Sequence, residues 1–110
     1  MTGRLHLAPG IEPVGQHMAD LAVLWVDLLT GMDTDDLYHV VISPNGAGQI
    51  TANFLDADAM RKWAKTFGLA VTAEPGGSWI DLIATGPVTR NGRTAELRLR
   101  ATETNEGSAA

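Results

Sequence analysis

The 110-residue chain contains no cysteine. That single absence removes disulfides, thiolate metal sites and cysteine nucleophiles together, and it agrees with a reducing, cytoplasmic setting. Charge is also sparse. Only 19% of residues are Asp, Glu, Lys or Arg, and eight basic residues face thirteen acidic ones, for a net charge of −5. Wrapping a phosphate backbone needs a cationic surface, so nucleic acid is a disfavoured partner. The excess of acid favours solubility and leaves room for a basic partner. Long apolar runs are missing. Leu21 to Leu29 is the longest, is interrupted by Asp27, and is far too short to span a bilayer. Residues 1–10 lack the apolar segment of a signal peptide, so no membrane partner is expected. Aromatics are few: one Tyr, two Phe and three Trp. Each one is therefore informative about packing or contact.

Motifs that carry chemistry are equally scarce. His6, His17 and His39 show no HxH or HExxH spacing. Asp33, Asp35 and Asp36 cluster in GMDTDD, but that loop lacks the glycine and distal glutamate of a calcium-binding hand. Neither Ser43 nor Ser78 sits in a GxSxG elbow. The glycines of NGAGQ join two strand-like runs, whereas a phosphate-binding loop would open a helix. We assign no catalytic, cofactor-binding or metal-binding residue and expect a protein that is not an enzyme.

What is present reads as alternating elements. A helix is expected from Glu12-Pro13 to about Thr30, with proline at the first position and Gly31 as terminator. Val14, Met18, Leu21, Ala22, Trp25, Leu28 and Leu29 follow helical spacing, and Leu24 and Val26 widen their sector to half the circumference or more. So wide a sector suits a helix that is deeply buried or that also packs on a second subunit.

The stretch Tyr38 to Leu69 carries the clearest local signals. Leu37 to Ser43 reads as a strand, with Tyr38, Val40 and Ile42 on one face; apolar residues on both faces suggest a central position. Ser43-Pro44-Asn45-Gly46 suits a type I turn, and Gln49 to Phe54 alternates with Ile50, Ala52 and Phe54 inward. Asp56 is a good N-cap, Leu55 can staple onto Met60, and Met60, Trp63, Ala64 and Phe67 form the buried stripe of a second helix. Gly68 stands where a left-handed terminal residue belongs, with Leu69 folding back.

Three further strands are expected: Leu69 to Glu74, Ser78 to Arg90, and Arg93 to Ala101, the last two joined by the two-residue turn Asn91-Gly92. Counting from that turn places Arg90 opposite Arg93, Val88 opposite Ala95, Ala84 opposite Leu99 and Leu82 opposite Ala101. Provided Gly86-Pro87 inserts no bulge, Trp79, Asp81, Ile83, Thr85, Glu96, Arg98 and Arg100 share the polar face. The order α-β-β-α-β-β-β implies one two-layer α+β domain over residues 1–102, a mostly antiparallel five-stranded sheet with two helices on one face, and a disordered tail over 103–110.

The side chains that folding rules absorb least well are the candidates for contact. Trp79 falls on the polar face beside Arg98 and Arg100, and an exposed tryptophan near arginines is a common interface anchor. Trp25 lies on the over-wide helix, and Asp33, Asp35 and Asp36 offer an acidic loop. The leading expectation is a small interaction or regulatory accessory protein acting as a homodimer; the Ala-, Gly-, Asp-, Arg- and Thr-rich composition has the flavour of a high-GC bacterium or its phage or mobile element. One alternative is an acidic inhibitor or immunity-type protein covering a basic toxin or nuclease. Another is a small-ligand binder or enzyme using a hollow between sheet and helices.

Overall fold

A computed structural model describes residues 11–104, with side chains from His17 onward. The arm over residues 1–10, with its short Leu5–Leu7 alternation and His6, lies outside the described residues, as does the tail from 105 on. The order is α1 (Ile11–Leu29), β1 (Leu37–Ser43), β2 (Gln49–Phe54), α2 (Ala57–Thr66), β3 (Val71–Pro75), β4 (Trp79–Arg90) and β5 (Arg93–Thr104). It is the expected two-layer α+β arrangement.

The five strands form one mixed sheet in the order β1-β2-β5-β4-β3. Three pairings are antiparallel, and β2 runs parallel to β5, with Ile50 opposite Leu97 and Ala52 opposite Leu99. The long β4–β5 hairpin matches the register counted from its turn, pair for pair, and passes Gly86-Pro87 without a slip. Asn91 (φ 51°) and Gly92 (φ 80°) both take the left-handed conformation that a tight two-residue turn demands. β5 continues past Ala101 to Thr104, because Thr102, Glu103 and Thr104 find partners in Asp81, Ile80 and Trp79. The expected tail therefore begins inside a strand.

The sheet's inner face and the helices share one core. Leu21, Leu24 and Leu28 of α1 and Met60, Trp63 and Ala64 of α2 are buried with Ile50, Ala52, Phe54, Leu82, Ala84, Leu97 and Leu99. Trp63 sits at its centre. Trp25 stacks on it with ring centroids 5.8 Å apart, Phe54 meets it edge-on at 5.2 Å, and Phe67 lies at 5.9 Å. Its indole N–H donates to the Asp33 carbonyl at 3.0 Å, so its polar end is satisfied as well.

Both caps of α2 form as its sequence specifies. The Asp56 carboxylate accepts from the Ala59 N–H at 3.1 Å. At the other end Gly68 (φ 69°) donates to Lys65 O and Leu69 donates to Ala64 O at 2.8 Å, the paired bonds of a Schellman termination. That role holds Leu69 out of β3, and its side chain covers Gly86 instead. Leu55 makes no staple over Met60; it is left exposed.

Three local expectations are corrected. β1 is an edge strand: the parallel contact between β2 and β5 leaves β1 only one neighbour. A register shift between Leu37 and His39 turns Leu37 toward the core and Tyr38 outward, so Tyr38 does not share the face of Val40 and Ile42. The β1–β2 connection closes later than Ser43 to Gly46, with Gly48 N–H donating to Asn45 O at 2.9 Å across Gly46, whose φ is +59°.

Candidate functional site

The four arginines of the β4–β5 hairpin divide by face. Arg90 and Arg93 point to the helical side. Arg90 lies 5.2 Å over the Phe67 ring, and Arg93 Nε approaches Asp20 of α1 at 3.6 Å. Nearby, the Asn91 amide donates to Asp27 at 3.0 Å. These contacts tie the hairpin tip to both helices.

Arg98 and Arg100 occupy the opposite face. β5 is the middle strand, so they stand at the centre of the sheet, opposite Thr85 and Ile83 on β4 and Thr51 and Asn53 on β2. Same-face neighbours on a strand are about 6.8 Å apart. Neither arginine has a carboxylate within ion-pair distance among the described residues, although Asp81 shares the face with Arg100. The acids of this face lie beyond the two arginines: Glu96, held by the Gln49 amide at 2.7 Å, on one side, and Asp81 with Glu74 on the other.

Trp79 is on the same face but not in the same place. It starts β4, four residues from Ile83, a separation of about 13 Å along a strand. It is 51% exposed, and its indole lies over Gly76, where a Cβ would come within 2.8 Å of Nε1. Closer to Arg100 is a cleft of about 200 Å³, lined by Tyr38, Asn53, Asp81 and Thr102, at the point where β2 turns away toward α2 and β5 continues.

The acidic connection is built into the fold. Asp33 accepts from the Asp35 N–H at 3.0 Å through its side chain and from Trp63 through its carbonyl, and the Asp36 carbonyl accepts from Leu55 N–H at 2.7 Å. Asp33 and Asp36 border a second cleft of about 220 Å³ with Asp56 and Lys62. Among the described residues no group of three or more His, Asp or Glu could hold a metal ion. His17 Nε2 lies 3.2 Å from the Ala47 carbonyl, and His39 meets the Asn53 amide at 3.4 Å. The Arg61 guanidinium is held above its ordinary pKa, chiefly by its hydrogen bond to Glu103.

A further surface was visible in the sequence only as excess. The core side of α1 is Leu21, Leu24 and Leu28, with Met18, Trp25 and Leu29 at its margins. Leu24 is thus central to the buried stripe, while Ala22 and Val26 fall outside it. Ala19, Ala22, Val23 and Val26 form a second, exposed stripe, with Val23 42% and Val26 61% exposed. Their i, i+3, i+4, i+7 spacing aligns them on one outward line. Trp25, expected as an anchor, is half-buried against Trp63. No helix among the described residues is long and apolar enough to cross a membrane.

No protein-family model matches this chain, and neither a curated protein nor a solved structure shows significant similarity to it.

Proposed function

We propose that the protein is a non-enzymatic interaction module that self-associates through the outward stripe of α1 and presents its open sheet face to a partner. The observation that carries this reading is the stripe itself. Ala19 and Ala22 are small enough for a second helix to approach closely, and Val23 and Val26 supply the apolar contact. The stripe contains no charge. The acids at its flank, Asp20 and Asp27, face Arg93 and Asn91 of their own chain. A twofold, antiparallel contact of α1 with its copy therefore meets no unbalanced charge along the line. This role fits a small accessory protein working in the cytoplasm of a bacterium, or of the host of its phage or mobile element, and the cysteine-free composition suits that compartment.

A seam from one helix buries well under the roughly 800 Å² per partner of a standard interface, so association belongs in the micromolar range. Sedimentation velocity between about 1 and 100 μM should follow a monomer–dimer equilibrium. The double variant Val23→Glu/Val26→Glu should stay monomeric throughout, with an unchanged far-ultraviolet spectrum, because both positions are exposed. A wild-type chain that is monomeric at the upper concentration would refute the self-association.

A further inference from the structure

We propose that the open face of the sheet seats an amphipathic helix of a partner protein, with two carboxylates one turn apart on that helix pairing with Arg98 and Arg100. The inference rests on reading the chain as an interaction module. It adds the chemistry and shape of what is bound.

The first argument is architectural. Both helices pack on the inner face of the sheet, and among the described residues nothing covers the outer one. That face is not uniformly polar. Val41 on β1 is exposed and Ile83 on β4 is half-buried, and they flank the arginine-bearing centre. Three strand spacings separate β1 from β4, about 14 Å in all. A helix with its side chains is about 10–12 Å across and fills that width. A strand, by contrast, would add at an edge of the sheet, where main-chain groups are free, and not on its face.

The second argument is charge complementarity. Arg98 and Arg100 stand on the middle strand without an ionic partner among the described residues. Charges on edge strands discourage edge-to-edge pairing, but a middle strand has no such need. Arg98 is half-buried, and an arginine stem adds apolar contact while its guanidinium reaches an ionic partner. The two Cα positions are about 6.8 Å apart, close to the roughly 6 Å between residues four apart on a helix. A guanidinium also grips a carboxylate with two parallel hydrogen bonds.

The third argument concerns length. Glu96 lies beyond Arg98, and Asp81 and Glu74 lie beyond Arg100. The cationic strip therefore ends in acid on both sides. A short pair of carboxylates fits between those ends. A nucleic acid would run its phosphates past them and meet repulsion.

The test uses the full chain and four probes, an oligonucleotide and three peptides of about 20 residues, long enough for a stable helix. One is an alanine-based helical peptide with two leucines and two glutamates, the glutamates four apart on the leucine face. The second has the same composition with the glutamates moved to the opposite face. The third is a single-stranded oligonucleotide. Fluorescence anisotropy at low and physiological salt should show binding of the first peptide, weakened by salt, and at least about tenfold weaker binding of the second, since each tenfold is about 1.4 kcal/mol. Arg98→Glu/Arg100→Glu should abolish the first interaction, and the fourth probe, a peptide with lysines in place of the glutamates, should restore it. Arg98→Gln/Arg100→Gln gives the same loss if the reversal disturbs folding. All these variants should keep wild-type sedimentation, because α1 lies on the other side of the sheet. The proposal is overturned if both glutamate peptides bind alike, if the oligonucleotide binds more tightly, if neither glutamate peptide binds, or if the arginine variants bind as wild type does.

Discussion

Side chains were best read from sequence where their role is local. Asp56, Gly68, Asn91 and Gly92 each do what their type and neighbours require. Trp63 was legible as core, but its reach was not. Its contacts with Trp25 and with the carbonyl of Asp33 span tens of residues of sequence and follow only from α1 and its connection folding back over α2. Gly48 gained its meaning in the same way. In sequence it is one glycine of a turn. In the structure it is buried with φ +97°, and a Cβ there would come within 2.5 Å of Leu21 Cδ2 and 2.8 Å of His17 Nε2. Leu21 is itself fixed in the core. Gly48→Ala should therefore combine backbone strain with overpacking and cost about 2–4 kcal/mol, read as a lower midpoint in urea with an unchanged slope.

At the scale of elements, α2 was legible from end to end because both of its caps lie within the stretch itself. Its N-cap should contribute as such bonds ordinarily do: Asp56→Ala should lower unfolding free energy by about 1 kcal/mol in urea titration, with no effect on self-association. α1 was only half legible. Periodicity shows that apolar residues share a line, but it does not say which of two lines meets the sheet. The large leucines Leu21, Leu24 and Leu28 take the core side, because burying them removes more apolar area than burying Ala19, Ala22, Val23 and Val26. Val23 and Val26 are left outward, and that is why the helix reads as over-wide. The edge position of β1 is hidden in the sequence for a related reason. Apolar residues on both faces look like burial from both sides, yet Tyr38 and Val41 face outward on an edge strand.

Across the whole molecule the sheet is strongly asymmetric. β5 has strands on both sides and supplies buried Ala95, Leu97, Leu99 and Ala101, whereas all five residues of β3 are exposed. Local opening should follow that gradient. Hydrogen exchange monitored by nuclear magnetic resonance should show β3 amides exchanging at least about 100-fold faster than those of Leu97 and Leu99, which should open only with global unfolding. Equal protection in the two strands would mean that β3 is covered in solution. Glu74 and Pro75 on β3 are the residue types that discourage pairing at an exposed edge.

Local signals along the chain suffice for the number and order of elements, the caps of α2, the register of the β4–β5 hairpin and the facing of Trp79, Arg98 and Arg100 within it. All of these depend on contacts a few residues apart, or on counting outward from a tight turn. Long-range packing sets the rest: that β2 runs beside β5, that β1 is an edge, which stripe of α1 faces out, and that Arg90 and Arg93 serve the helices while Arg98 and Arg100 stand open. Those choices join segments tens of residues apart. They are settled by the total apolar area removed from water and by closing the sheet's hydrogen bonds, quantities that belong to the packed molecule and leave no local mark on the chain.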